Sequence, residues 1–217
     1  MFKFNKILGI AFDFFLPRDP KDKQAVNITI EKLSEKLLKG RETENKSIYA
    51  LFDYRDETIR NMIWSLKYKR NHKVAQTFAV MLYDFLIEEF SDLNTYSDFT
   101  KPILIPIPMH KKHRKKRGYN QTEFLAKELY KIDSDLFQLH TDILIKTRNT
   151  PHQTKLHRDK RLKNIIGAFD VKNPEKIKGR NVVILDDVTT TGATLAEARK
   201  VLRQAGAKKI ISVAVGH

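Results

Sequence analysis

The sequence predicts an α/β fold, a parallel sheet flanked by helices with an N-terminal helical extension, and three observations carry that prediction. From residue 101 onward, short apolar runs alternate with helical patterns. The runs are continuous rather than alternating, as strands covered on both faces require. The run at 182–185 passes directly into two aspartates and a Thr/Gly loop, "VVILDDVTTTGATLAE", and ligands of open parallel sheets sit at such carboxyl ends of strands.

Taken in order, the first 17 residues, "MFKFNKILGIAFDFFLP", set lysines ahead of a short apolar run and so imitate a secretory leader. Asp13 interrupts the run, and "PRDPKD" lacks the small residues of a cleavage site, which favours a buried or membrane-brushing amphipathic segment over a secretory leader. No apolar run approaches the ~18 residues expected of a membrane span. A polar connection at 17–25 precedes a helix over 28–39, ended by Gly40, and the polar stretch 41–47 separates this extension (1–47) from a domain over 48–217. Helices follow at 56–69 and 73–90, where Val74, Phe78, Met81, Leu82 and Phe85 recur at helical spacing. "PILIPIP" (102–108) reads as a strand, and residues 120–131 as a helix opened by an Asn120/Glu123 variant of the capping box. "DILIK" (142–146) and "NVVIL" (181–185) are the second and third strands. A helix with Thr194 and Glu197 at capping-box spacing then stops near Gly206, and residues 209–215 form a fourth strand.

Hydrophobic residues make up 41% of the chain, enough for a folded core, while 41 Lys and Arg against 26 acids give a formal charge of +15. A polyanionic partner is therefore in view, provided the excess is clustered. The chain has no cysteine, which removes disulfides, iron–sulfur clusters, thiol nucleophiles and cysteine-held zinc.

Adjacent Asp186 and Asp187 repel each other, so the pair asks for a ligand. A strand-to-helix turn with a glycine exposes backbone N–H groups to an anion, and the hydroxyls of "TTTGAT" add donors. The nucleotide-triphosphate pattern GxxxxGK[ST] is absent, as is GxGxxG. What remains is a phosphate held beside two carboxylates, which would repel it unless they face sugar hydroxyls or a divalent cation. A phosphorylated sugar with Mg²⁺ meets that condition. The plainer alternative, a capped helix after a buried strand, needs one acid and not two.

Two basic stretches follow strands at the same sheet edge. "HKKHRKKRGYNQTE" (110–123) packs six Lys or Arg into 111–117, with no acid between Asp98 and Glu123. "KTRNTPHQTKLHRDKRLKN" (146–164) carries one acid, Asp159. As loops converging on the ligand mouth, their His110, Lys111, Lys115, Lys116, Arg117, Arg148, Arg158 and Arg161 are candidates to hold pyrophosphate, nucleic-acid phosphates or both. Tyr119, His110, His113, His152 and His157 offer rings to the bases of a single strand. The histidines have no metal-ligand spacing, so no zinc is expected.

The segment "VVILDDVTTTGAT" resembles the phosphoribosyl-diphosphate (PRPP) signature of type I phosphoribosyltransferases. That resemblance implies that Asp186 and Asp187 bind the ribose hydroxyls and hold Mg²⁺ directly or indirectly. It also implies that Thr189, Thr190, Thr191, Gly192, Ala193 and Thr194 hold the 5′-phosphate, on a type I phosphoribosyltransferase-like sheet with a mobile hood loop. "RGYNQTEFLAKEL", "TRNTPHQTKLHRDKRLKNIIGAF" and "SLKYKRNHKVAQTFA" are similar to the ComF (ComFC) family of natural competence, from about residue 48 to the end. Carried over by that resemblance are Arg117, Gly118, Asn120, Gln121, Arg148, Thr150, Gln153, Arg161 and Asn164. Many members carry a four-cysteine zinc module near the N-terminus, for which this chain has no ligands.

The resemblance implies a PRPP-binding protein that assists single-stranded DNA uptake in natural transformation. Its expected partners are competence or DNA-translocation proteins, and its expected place is the cytoplasm, with the periphery of the inner membrane as the variant. Two alternatives stay open: an active Mg²⁺-dependent phosphoribosyltransferase of nucleotide metabolism, and a PRPP-sensing regulator without catalysis. No nucleophile or general base for an acceptor is identifiable in the sequence.

Overall fold

The computed structural model describes residues 29–38, 48–96, 99–150 and 164–217. In chain order its elements are α1 (Ile30–Ser34), β1 (Ile48–Phe52), α2 (Glu57–Lys69), α3 (His72–Tyr96), β2 (Ile103–Pro106), α4 (Lys111–Arg117), α5 (Gln121–Ile132) and β3 (Gln138–Leu139). After them come β4 (Leu144–Lys146), β5 (Phe169–Val171), a 3₁₀ turn at Pro174–Lys176, β6 (Val182–Val188), α6 (Ala193–Gln204) and β7 (Ile210–Gly216). Five strands form one all-parallel sheet in the order β1-β7-β6-β2-β3.

The apolar strands are continuous because both faces are covered. Leu104, Val183, Leu185, Val213 and Val215 pack into one core with α2, α3 and α5. Ile103, Ile105, Val182, Ile184 and Ala214 pack into a second core with α6 and the β4/β5 pair. Odd and even positions of β6 thus go to opposite layers, as a strand's two-residue period demands.

The expected α2 starts where its cap dictates, with the Asp56 carboxylate accepting from the backbone N–H of Thr58 at 2.9 Å and Ile59 at 3.1 Å. Elsewhere the sequence reading needs correction. The helix expected over 28–39 is a single capped turn, α1, because Leu33 is drawn into the core and the chain then lies along the sheet edge. There Leu37 bridges Phe52 and the N–H of Leu38 donates to Leu51 O at 2.9 Å, covering an open edge. β1 was not anticipated. "DILIK" does form a strand but does not join the parallel sheet; β4 pairs antiparallel with β5, since composition marks a strand without marking its neighbour.

Residues 111–117, expected as a loop, are the helix α4. His110 caps it by accepting from Lys112 N at 3.3 Å, and Gly118 ends it at φ +86°. The capping box expected at α6 is also absent. The N-cap is Gly192, without a side-chain cap bond, and the Glu197 carboxylate accepts instead from Gly167 N at 2.7 Å. The tip of the 146–164 stretch, with Gln153, Arg158, Arg161, His152 and His157, lies outside the described residues, as do residues 1–28. No described helix is long and apolar enough to cross a membrane.

Phe78 is fully buried on α3, with its ring 6.0 Å from that of Phe52 on the edge strand β1. Phe78→Ala is expected to destabilise the fold by about 3–5 kcal/mol, read as a lower urea midpoint at unchanged m-value.

Candidate ligand site

β6 carries its apolar alternation straight into the acids. Asp186 continues the even-numbered face of Val182 and Ile184, and Asp187 the odd-numbered face of Val183 and Leu185. Both are buried, at 7% and 4% exposure. On its own face Asp187 receives Lys67 Nζ from α2 at 3.0 Å and Gln121 Nε2 from α5 at 3.2 Å. Gln121 Oε1 in turn accepts from Arg117 Nη1 at 2.6 Å, so the basic helix α4 is tied to the acid through one amide. On the other face, Lys146 of β4 lies within the electrostatic reach of Asp186. The carboxylates also accept locally, Asp186 Oδ1 from Asp187 N and Asp187 Oδ1 from Val188 N, each at 2.8 Å.

These surroundings split the protonation behaviour of the site. Burial first, and then the neighbouring charge of Asp187, hold the Asp186 carboxyl well above the usual carboxylate range. Burial pulls the Lys67 ammonium down, but the charge and hydrogen bond of Asp187 outweigh it and hold the group above its ordinary value. Burial lowers Lys146, with Asp186 opposing.

The loop after the acids is built as an anion cradle. Thr189 N donates to Gly216 O at 2.8 Å, tying the loop to the end of β7. Gly192 sits at φ +72°, which favours glycine, and a Cβ there would stand 2.9 Å from Ile48 Cδ1 and push that methyl aside. α6 then starts with no side-chain cap, leaving its N-terminal dipole facing the loop. The Thr191 hydroxyl is buried with no hydrogen-bond partner among the described residues; such a group is expected to meet a ligand or water. These donors fit a phosphate. Among the described residues no three His, Cys, Asp or Glu cluster around a metal position, so Mg²⁺ at Asp186 and Asp187 would draw its other oxygens from ligand and water.

The remaining candidates divide. Lys111, Lys115 and Lys116 are exposed on α4, while Arg114 pairs with Glu123 at 3.3 Å. His110 is committed as the α4 cap, and burial followed by the charge of His113 and Lys112 keeps it below its ordinary range. The Tyr119 hydroxyl donates to Leu66 O at 2.6 Å and accepts from Arg70 N at 3.0 Å, pinning α2 to the turn before α5. Asn120 caps α5 at Thr122 N and donates Nδ2 to Ile107 O at 3.0 Å. Arg148 spends its guanidinium on Ile166 O at 2.9 Å and Asn164 O at 3.2 Å, clasping the two ends of the second basic stretch. Lys67 and Lys146 were not singled out from the sequence. Lys67 did leave a signal, since it continues the Ile59/Ile63 stripe at four-residue spacing and puts an amine on the buried face of α2.

Known proteins give this geometry a context. A family profile described as "Phosphoribosyl transferase domain" matches residues 115–216. The chain is 30% identical over 149 residues to the DNA utilization protein YhgH of Escherichia coli O157:H7, covering 69% of this chain and 63% of that protein. It is 28% identical to competence protein F of Haemophilus influenzae, over 71% of this chain and 66% of that protein. With competence protein ComFC of Bacillus subtilis the identity is 30%, over 78% of this chain and 62% of that protein. The chain thus spans slightly less than two thirds of the length of these relatives.

Two outcomes follow from the site. Gly192→Ala is expected to cost at least about 1–2 kcal/mol from the left-handed backbone alone, with the Ile48 contact adding to it, measured by denaturant unfolding. Because Asp186 titrates higher folded than unfolded, the native state holds a proton that the unfolded chain has lost, and stability falls as pH rises from the ordinary 3.8 to the raised native value. Asp186→Asn keeps the acceptor for Asp187 N and removes the charge. Its melting temperature at pH 8 should exceed that of wild type and vary less with pH; a variant that melts lower with the same pH slope would contradict the assigned shift.

Proposed function

The chain belongs to the ComF family of phosphoribosyltransferase-like proteins, and from that premise we propose that it binds PRPP with Mg²⁺ at the end of β6 and handles single-stranded DNA in the cytoplasm during natural transformation. The PRPP reading rests on one conjunction: two buried carboxylates facing opposite layers, followed at once by a buried unpartnered Thr191 hydroxyl and the uncapped start of α6. Asp186 and Asp187 would accept from the ribose hydroxyls and hold the metal, while residues Thr189 to Thr194 receive the 5′-phosphate. Bound Mg²⁺ would offset the negative charge of the diphosphate beside the acids.

The DNA part is supported by the exposed cations of α4, by the formal charge of +15 and by the names its relatives carry. Contacts to competence or DNA-translocation proteins belong to the same proposal. A transferase would use the same acids to hold ribose while pyrophosphate leaves C1, and pyrophosphate release with a base or amine acceptor is its signature. Binding without turnover is what DNA handling or PRPP sensing expects.

Thermal unfolding with PRPP and Mg²⁺ tests the ligand. At about a hundred times the dissociation constant, wild type should gain roughly 2.7 kcal/mol. The Asp186→Asn/Asp187→Asn double variant should lose most of that gain, whatever its own baseline; equal gains in both proteins would refute the assignment.

A further inference from the structure

α2 turns its Ile59, Met62, Ile63 and Leu66 inward, and this leaves Trp64 and Tyr68, four residues apart, on its outer face. They are 48% and 57% exposed. The other large exposed hydrophobics of the described residues are the scattered aliphatics Ile87, Ile132 and Ile166. The two rings lie together, 5.4 Å between centroids at 43°, and cations bracket them: Lys69 Nζ stands 5.4 Å from the Trp64 ring and Arg117 Cζ of α4 5.1 Å from the Tyr68 ring. No acid occurs in the sequence between Glu57 and Asp84 or between Asp98 and Glu123, the stretches that supply both rings and both cations. The surface also touches the ligand site. Lys67, one residue before Tyr68, pairs with Asp187, and Arg117 joins the Tyr68 ring to Gln121, which donates to the same carboxylate.

We propose that Trp64 and Tyr68 form a base-stacking platform for single-stranded nucleic acid, with Lys69, Arg117 and the exposed lysines of α4 holding its phosphates. The proposal rests on the DNA-handling reading above and names the surface that carries it. Two large exposed rings next to each other mark an interaction site, and rings with cations beside them and no nearby acid in sequence suit a polyanion whose every unit carries a π-face. An apolar protein partner would gain nothing from the cations. Arg117 lies over the Tyr68 ring and is hydrogen-bonded to Gln121, so a strand held on the platform would run past the mouth of the acid pair.

Trp64 is the sole tryptophan of the chain, so the platform reports on itself. The full-length protein is titrated with oligodeoxythymidine while tryptophan emission is followed, and in parallel with fluorescein-labelled oligodeoxythymidine while anisotropy is followed. Emission should be quenched along the same isotherm as the anisotropy rise. Trp64→Ala or Tyr68→Ala should weaken binding by about 5- to 150-fold, and Trp64→Phe should recover most of the loss. Heparin, which has charge but no bases, should bind without comparable quenching. If anisotropy reports binding while emission stays constant and both alanine variants bind like wild type, the platform is overturned and DNA handling stands. If no oligonucleotide raises the anisotropy of the wild-type complex, DNA handling itself fails and the platform with it. Equal quenching by heparin, or an emission change that tracks protein concentration and a doubled mass in light scattering, would make the surface a charge sensor or a self-interface and would also overturn it.

Discussion

β6 is a strand covered on both faces, and its two-residue side-chain period governs the ligand site. When the apolar run ends in Asp186 and Asp187, the period sends one carboxylate to the α6 side and the other to the α2/α5 side. The two carboxylates still feel each other's charge, and lysines reach them from both layers: Lys67 forms an ion pair with Asp187 and also acts on Asp186, and Lys146 lies in the field of Asp186. A buried carboxylate without a partner would be strongly unfavourable. The fold tolerates the pair because two layers, packed for reasons of apolar burial, each deliver a cation to the strand end.

The same packing joins the acid pair to the outside. α5 docks on the sheet through Leu125, Ala126 and Leu129, and its first residue, Gln121, is thereby placed to donate to Asp187 and accept from Arg117. The basic helix is therefore not an appendage. It is hydrogen-bonded to the base of the site, and its orientation depends on the Asn120 cap and the Tyr119 hydroxyl, two groups that a sequence reader would assign to ligand binding. Together they fix the turn between α4 and α5, Tyr119 against Leu66 of α2 and Asn120 against Ile107 O.

Much of this was legible in the chain. The long helices α2 and α3, the strands β2, β6 and β7 and the acid–threonine loop all announce themselves, because each is a run whose period or composition is set locally. The elements that escaped are those with non-local determinants. β1 is a five-residue edge strand beside β7, α4 reads as a polar tract until its caps at His110 and Gly118 are seen, and "DILIK" looks like a central strand but pairs with β5. Side-chain surroundings escaped in the same way. Tyr119 and Tyr68 are each a tyrosine among cations, and only the rotation of α2 buries one hydroxyl and exposes the other ring.

By itself, then, the sequence determined the parallel α/β architecture, the strand end that carries the candidate ligand site and the hydroxyl-rich loop that suits a phosphate. These follow from apolar periodicity and from glycine and threonine acting within a few residues. Only the tertiary structure decided that the two acids face opposite layers, that Lys67 and Lys146 come to them from elements far away in the chain, and that Arg117 reaches them through Gln121. Those facts depend on how helices rotate and strands pair when the two cores close on the sheet, and beyond the place of Lys67 on the buried stripe of α2 such long-range burial leaves no short-range mark on the order of residues.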